Sequence, residues 1–367
     1  MLASPLKRGN NILQIVQGRQ VCLQQEELNS SDCGRASMTK LSPFSRRDML
    51  RAGGAASLLA AGHVLAPAPA ALARAPMQDS QVPGFFRFHV GAFEVTVLSD
   101  GNLILPASTL AVNVPEVMLK GFLRSNMRST AQRTGHINAA LINTGAELIL
   151  IDAGSGANFQ PTAGKLAENL EASGYKAEQI DKVILTHAHP DHVWGLTDEF
   201  EDAPRFANAS YVMNAKDWDF WTAKDAASKV PPNLEGFAIG ARKHLLPLAQ
   251  KTKMAKAGDV VSPGITLVAT PGHSPGHVSV MVEQAGEKLL ITADAITDPQ
   301  VSFAHPDWHP GLDLEPETAV KSRKDLLKMA SADRLTVLGY HLPFPGVGYV
   351  AARGKTFRWI PSSFEWR

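Results

Sequence analysis

The sequence predicts an α/β fold in which two mixed β-sheets pack face to face with helices on the outside, an αββα sandwich. Three observations predict it. From Phe85 onward two strand-rich runs follow one another, each bordered by helical segments. Within each run apolar residues alternate with polar ones at period 2 and stop at turn signals, the pattern of strands with one buried face. The composition, 44% hydrophobic and 19% charged, is that of a chain able to bury a sizeable core. Stacked sheets covered by helices satisfy all three.

In the first run, Phe86, Phe88 and Val90, then Phe93, Val95 and Val97, give two strands. Ser99-Asp100-Gly101-Asn102 reads as a turn before Leu103-Ile104-Leu105. Ala139 to Asn143 and Glu147 to Asp152 flank Thr144-Gly145 as a hairpin, Ala163 to Ser173 reads as an amphipathic helix, and Lys182 to Thr186 as a buried strand. The second run has a helix around Ala215 to Ala223 and strands near Ile265 to Thr270, Val278 to Glu283 and Lys288 to Thr292. A helix at Pro316 to Ala330 and a strand at Thr336 to Gly339 complete it, and Arg358-Trp359-Ile360-Pro361 is strand-like. No close internal repeat is present.

The N-terminal segment has a different character. Residues 1–37 are polar and without periodicity, an extension that reads as upstream of a start at Met38. Residues 38–75 contain Ser45-Arg46-Arg47-Asp48-Met49-Leu50, a weakly apolar stretch from Ala52 to Leu65, and Ala71-Leu72-Ala73-Arg74-Ala75. This resembles a twin-arginine export signal with a small-residue cleavage region, which implies a periplasmic or secreted protein. The apolar stretch is too short for a bilayer span, and no run of about 20 apolar residues follows, so no membrane anchoring is expected. Residues 84–367 are expected to form one folded domain.

Charge and cysteine content narrow the function classes. Lys plus Arg total 36 against 35 acids, with no basic stripe and interleaved aromatics, which disfavours a nucleic-acid partner and leaves a small-molecule substrate. The two cysteines, Cys22 and Cys33, both precede the domain, so it has neither a disulfide framework nor a thiolate nucleophile. Its chemistry must use nitrogen and oxygen ligands.

Those ligands crowd into Thr186-His187-Ala188-His189-Pro190-Asp191-His192, where a hydrophobic strand ends. In an extended segment His187 and His189 point to the same side, so both imidazoles can reach one metal at about 2.0–2.1 Å. Asp191 and His192 then turn toward a second. The His-x-His-x-Asp-His string resembles the metal signature of the metallo-β-lactamase superfamily, and other motifs of that family follow in order. Asp152, in Ile151-Asp152-Ala153-Gly154, matches the aspartate that orders the metal loop by hydrogen bonding. His273, in Thr270-Pro271-Gly272-His273-Ser274-Pro275-Gly276-His277, matches a ligand of the first metal, whereas His277 matches a supporting position beside the ligands. Asp294 matches the carboxylate that bridges both metals, and His341 the last ligand of the second.

The resemblance therefore implies His187, His189, His273 and Asp294 on one metal and Asp191, His192, Asp294 and His341 on the other. It implies two divalent cations, with zinc suited to a histidine and carboxylate set; manganese, iron and cobalt suit it too. Two such cations about 3.5–4 Å apart bring a shared water toward ionisation at neutral pH. The expected reaction is hydrolysis of a lactone, carboxylic ester or phosphotriester by a metal-bridging hydroxide, with Asp191 as the catalytic proton carrier.

The similarity extends from about Gly84 to Trp366 and looks like the methyl parathion hydrolase branch, which includes lactone and aryl-ester hydrolases. The features carrying it are Leu98-Ser99-Asp100-Gly101, Leu141-Ile142-Asn143-Thr144-Gly145, the helix Leu166-Ala167-Glu168-Asn169-Leu170 and the tail from Pro343 to Gly348. In that branch aromatic side chains line the leaving-group pocket. Trp218, Phe220 and Trp221 occupy the matching helix, with Phe303 and Trp308 as further candidates, although helical spacing equally suits core packing. The resemblance implies a homodimer.

Other activities of the superfamily stand as alternatives. A β-lactamase of the common class B type needs a cysteine on the second metal, and none follows Cys33. A glyoxalase II-like thioesterase carries a C-terminal helical platform, which a strand-like C-terminus does not supply. A non-catalytic metal-binding module would retain the ligands with a closed pocket.

Overall fold

Alternation along single strands fixes which way each sheet faces. The computed structural model describes Val82 and residues 84–198 and 203–363. The expected extension and export signal at residues 1–75, with Cys22, Cys33, Arg46 and Arg47, lie outside the described residues. The first sheet has seven strands in sequential order: β1 (Phe85–Val90), β2 (Phe93–Pro106), β3 (Gln132–Asn143), β4 (Leu148–Ile151), β5 (Lys182–Leu185), β6 (Ser210–Asn214) and β7 (Thr252–Ala255). It is antiparallel from β1 to β4 and parallel from β4 to β7.

The second sheet is also sequential: β8 (Val260–Ser262), β9 (Ile265–Ala269), β10 (Val278–Gln284), β11 (Glu287–Ile291), β12 (Thr336–Leu338), β13 (Val347–Arg353) and β14 (Thr356–Pro361). Only β11 and β12 pair in parallel. Both sheets are therefore mixed, as expected. Thr197–Asp198 and Ala203–Pro204 form a separate two-stranded pair.

Ile149, Ile151 and Ile184 point between the sheets, where they meet Val280, Val282, Leu289 and Ile291 of the second sheet. Leu148, Leu150, Val183 and Leu185 point the other way, into a cluster with residues of α2 (Leu166–Ala172), α4 (Ala215–Thr222) and α5 (Glu235–Leu245). Leu290 and Val337 face outward onto Leu326, Leu327 and Ala330 of α7 (Pro316–Ala332). Period-2 strands thus bury one set of side chains between sheets and the other under helices.

Pro316 opens α7 at a position where its missing N–H costs no hydrogen bond. Asn214 caps α4 by accepting from the Lys216 N–H at 3.0 Å. The 10-residue helix α1 (Glu116–Ser125), the 11-residue α5 and the short turns α3 (Pro190–Val193) and α6 (Val301–Ala304) complete the helical set. Among the described residues no helix is long and apolar enough to cross a membrane.

One local expectation is corrected. Ser99 to Asn102 does not end a strand: β2 runs through it, with a register shift against β3 between Ser99 and Gly101. The extra residue bends the strand as a bulge. Gly101 sits at φ +99, and a Cβ there would lie 2.2 Å from the Thr162 carbonyl oxygen, so the site admits only glycine. The bulge turns the Asp100 carboxylate inward, where it accepts from Ser155 N–H and Leu166 N–H, each at 2.8 Å, and from the Ser155 hydroxyl.

Candidate metal centre

Parallel strands deliver ligand-bearing loops to one end of the sandwich. β4 ends at Ile151, and Asp152 follows in the left-handed region at φ 62, an uncommon conformation for a residue with a Cβ and one typical of functional loops. β5 ends at Leu185 and leads through Thr186 into His187 and His189; Pro190 then starts α3, which carries Asp191 and His192. From the second sheet, Asp294 lies in the 3-10 turn Ala293–Ala295 after β11, and His341 follows β12. The Val278 N–H donates to the Thr186 carbonyl at 3.1 Å and ties the two sheets together beside the cluster. Gly195 permits close packing below it, since a Cβ would lie 2.0 Å from the Ala153 oxygen.

The structure brings together all seven residues expected as ligands. His187, His189, His273 and Asp294 form one group and Asp191, His192 and His341 another, with the ligand atoms of each group within 4.8 Å of one another. Asp294 spans the two. Its Oδ1 is 3.1 Å from His192 Nε2, and its Oδ2 is 3.0 Å from His341 Nε2 and 3.3 Å from His273 Nε2. Asp191 Oδ2 is 3.4 Å from His341 Nε2 and 3.5 Å from His192 Nε2. His189 Nδ1 and His273 Nε2 face each other across 2.9 Å.

These residues fit two cations on chemical grounds. All seven are buried, yet Asp191 Oδ2, His192 Nε2, Asp294 Oδ1 and His187 Nε2 have no hydrogen-bond partner. Leaving buried polar atoms without partners costs about 1–3 kcal/mol each, and a bound cation removes that cost. Burial, reinforced by the neighbouring histidines, holds the His187 and His189 rings well below their ordinary pKa, so both are neutral as metal binding requires. The donor set, histidine nitrogens with carboxylate oxygens converging from both sheets, is that of a two-metal site.

Supporting groups aim the ligands. The Thr186 N–H and hydroxyl donate to Asp152, each at 2.8 Å, and His192 Nδ1 donates to Asp152 Oδ2 at 2.8 Å, which turns His192 Nε2 inward. His277 uses both ring nitrogens: Nδ1 donates to the Thr270 carbonyl at 3.0 Å and Nε2 accepts from the Asp294 N–H at 3.1 Å. It supports the loop of Asp294 and has no nitrogen left for a metal. His341 Nδ1 donates to the His136 carbonyl at 2.7 Å, and the Tyr340 hydroxyl donates to the Asp191 carbonyl at 2.7 Å.

A further support was not read from the sequence. His273 Nδ1 donates to Asp313 Oδ1 at 2.8 Å, and Asp313 Oδ2 accepts from Arg323 Nη2 at 2.9 Å. Both side chains are buried, and Arg323 also donates to the carbonyls of Ala295, Pro306 and Trp308. The available signal was a lone arginine within the buried stripe Ala319, Arg323, Leu326, Leu327 and Ala330 of α7.

The aromatic candidates divide. Trp221 is fully buried with its ring 5.3 Å from that of His189; Trp218 and Phe220 pack, partly buried, on the same cluster. Phe159 and Phe237, not singled out from sequence, join it, and the Phe237 ring lies 5.6 Å from His189. Phe303 is corrected from pocket wall to core: it is 1% exposed beneath α7, with its ring 5.7 Å from that of Trp359. Trp308 stacks on His305 at 4.0 Å and packs with Leu119 and Leu123. A depression of about 810 Å³, lined by Arg87, Lys288, Asp333 and Thr336, lies at the opposite ends of the strands and includes none of the cluster.

A two-metal ligand cluster at one end of an αββα sandwich defines a metal-dependent class of protein. The family model of the metallo-beta-lactamase superfamily matches residues 133–341, over half of the chain, and the chain belongs to that superfamily. A probable metallo-hydrolase of Methanocaldococcus jannaschii is 30% identical over 164 residues, 44% of this chain and 68% of that protein. Among solved structures, the dizinc quorum-quenching lactonase AidC, in complex with a product homoserine, superimposes with a TM-score of 0.73 at 29% identity. The match covers 77% of this chain and 98% of that one. The hydrolase AbOPH gives 0.72 at 30% identity, covering 78% and 100%.

Proposed function

We propose that this chain is a dinuclear zinc hydrolase that opens a lactone, carboxylic ester or phosphotriester bond in a small molecule. The observation that carries the reading is the convergence of seven buried histidine and aspartate side chains from both sheets, with Asp294 reaching both halves. A dizinc lactonase among the structural relatives supports the lactone member of that set. When bound, the two ions would make water nucleophilic near neutral pH and polarise the substrate oxygen.

The chain's own residues do the rest. Asp191 Oδ2 lies between His192 Nε2 and His341 Nε2, where it can take a proton from the attacking water and return it to the leaving-group oxygen. Tyr340 fixes the Asp191 backbone through its carbonyl, and the Tyr340 ring stacks on His192 at 4.0 Å, which limits motion of both. Trp221 and Phe237 wall His189 with apolar surface and exclude water from that side.

The experiment is a panel on the metal-loaded protein: an acyl-homoserine lactone, a simple aromatic lactone, an aryl acetate and an organophosphate, ranked by kcat/KM. Metal-dependent turnover of at least one is expected. Retained metal with no turnover of any would overturn the hydrolase reading in favour of a metal-binding module.

A further inference from the structure

A cavity of about 290 Å³ opens against His341, lined by Arg128, Gln132, Arg133, His136 and Gln300. Its wall carries more positive charge than it neutralises. Arg128 is taken up by Asp298 in a bidentate pair, Nη1 to Oδ1 at 2.8 Å and Nη2 to Oδ2 at 2.7 Å. Asp298 Oδ1 also accepts from the Gln300 and Val301 N–H groups. Arg133 has no such partner. It is 6% exposed; its Nε donates to the Thr109 hydroxyl at 3.3 Å and its Nη1 to the Thr297 carbonyl at 3.1 Å, both neutral acceptors.

Among the described residues Arg133 Nη2 makes no hydrogen bond. The carboxylates close enough to act on it electrostatically are Asp298, committed to Arg128, and Asp294 and Asp191, committed to the metal centre. A buried guanidinium held without its own counter-charge is costly, and an anion entering the cavity would remove that cost through a charge-assisted hydrogen bond. The volume is at or just below the lower end of ligand pockets, room for a short arm of a substrate whose reacting bond lies at the metals.

We propose that the natural substrate carries a carboxylate, seated in this cavity on Arg133 while the scissile ester or lactone bond lies beside His341. The inference rests on the hydrolase reading and names the substrate class for the same site. Recognition needs only the planar guanidinium and the donors around it, so a neutral arm of equal length should be discriminated against.

The test compares the 4-nitrophenyl hemiester of glutaric acid with 4-nitrophenyl pentanoate on the metal-loaded full chain. The anionic ester should be preferred by about tenfold or more in kcat/KM, as one charge-assisted hydrogen bond would give. Arg133→Met should bring that ratio close to one. Should Arg133→Met fail to fold, Gln132→Glu at an exposed position of the cavity rim supplies the same test by adding a negative charge, and the ratio should again collapse.

Calorimetric binding of glutarate reads the cavity without turnover, with about tenfold weaker binding expected in Arg133→Met and in Gln132→Glu than in the wild type. Turnover of both esters without preference, together with glutarate binding that neither substitution changes, would overturn the carboxylate inference and leave the hydrolase reading standing. Absence of turnover with glutarate binding that depends on Arg133 would sink the hydrolase reading and keep the cavity.

Discussion

Replacing Asp313 with leucine removes the charge that joins His273 to Arg323 while keeping the branched shape of the side chain. Arg323 is 1% exposed and would keep three carbonyl acceptors, at 3.0, 3.1 and 3.2 Å, but lose its ion pair with Asp313. Breaking a buried pair on one side costs about 3–5 kcal/mol, and the retained carbonyls place this case near about 3 kcal/mol. For a domain of this size that is a fall in Tm of about 6–12 °C. His273 Nδ1 would lose its acceptor as well, and removing such a partner typically weakens metal binding about 10- to 100-fold.

Two assays separate the consequences. Metal titration against a competing chelator should show the affinity loss at the group containing His187, His189, His273 and Asp294. The Asp313→Leu, Arg323→Met double variant should recover most of the Tm, because no buried charge is left alone, yet keep the weakened metal site. Wild-type metal affinity in Asp313→Leu would refute the argument that this carboxylate aims His273.

Asp191→Asn should lower kcat by at least about 100-fold with the fold intact by circular dichroism, since general acid–base transfer contributes about 10²–10⁴; near-normal kcat would remove Asp191 from the proton path. Trp221→Ala should cost about 3–5 kcal/mol in denaturant unfolding, because the ring is fully buried in the helix-side cluster. Burial pushes the Asp100 carboxyl up to about 6, so the folded state holds its proton to higher pH than the unfolded chain, and its contribution is full below about pH 4 and lost as pH rises through 6. The stability of the wild type relative to Asp100→Asn should therefore fall by about 3 kcal/mol between pH 4 and 7, and a flat difference would contradict the shift. Lysine at both Arg46 and Arg47 should retain the protein in the cytoplasm, as read by cell fractionation, if residues 38–75 act as the proposed signal.

The strands were legible because their outward and inward faces alternate so strictly: Val183 and Leu185 face the helices and Ile184 the other sheet. The candidate metal-binding residues stood out because each lies at or just after the end of an apolar strand, and their order along the chain survives whatever separates them. The bulge at Asp100 was not, since Ser99-Asp100-Gly101-Asn102 carries the composition of a turn and only pairing with β3 shows that the strand continues. Phe303 was misplaced because its neighbours Pro299, His305 and Pro306 suggest a surface loop, whereas α6 folds its ring under Trp359. Asp313 and Arg128 act through partners 40 and 170 residues away, a pairing that no local spacing encodes.

Anomalous X-ray scattering from crystals of the purified, metal-loaded chain tests the central claim most directly. Two peaks about 3.5–4 Å apart are expected. One would be bounded by His187, His189 and His273, the other by Asp191, His192 and His341, with Asp294 touching both. A single peak, or none at full loading, would contradict it.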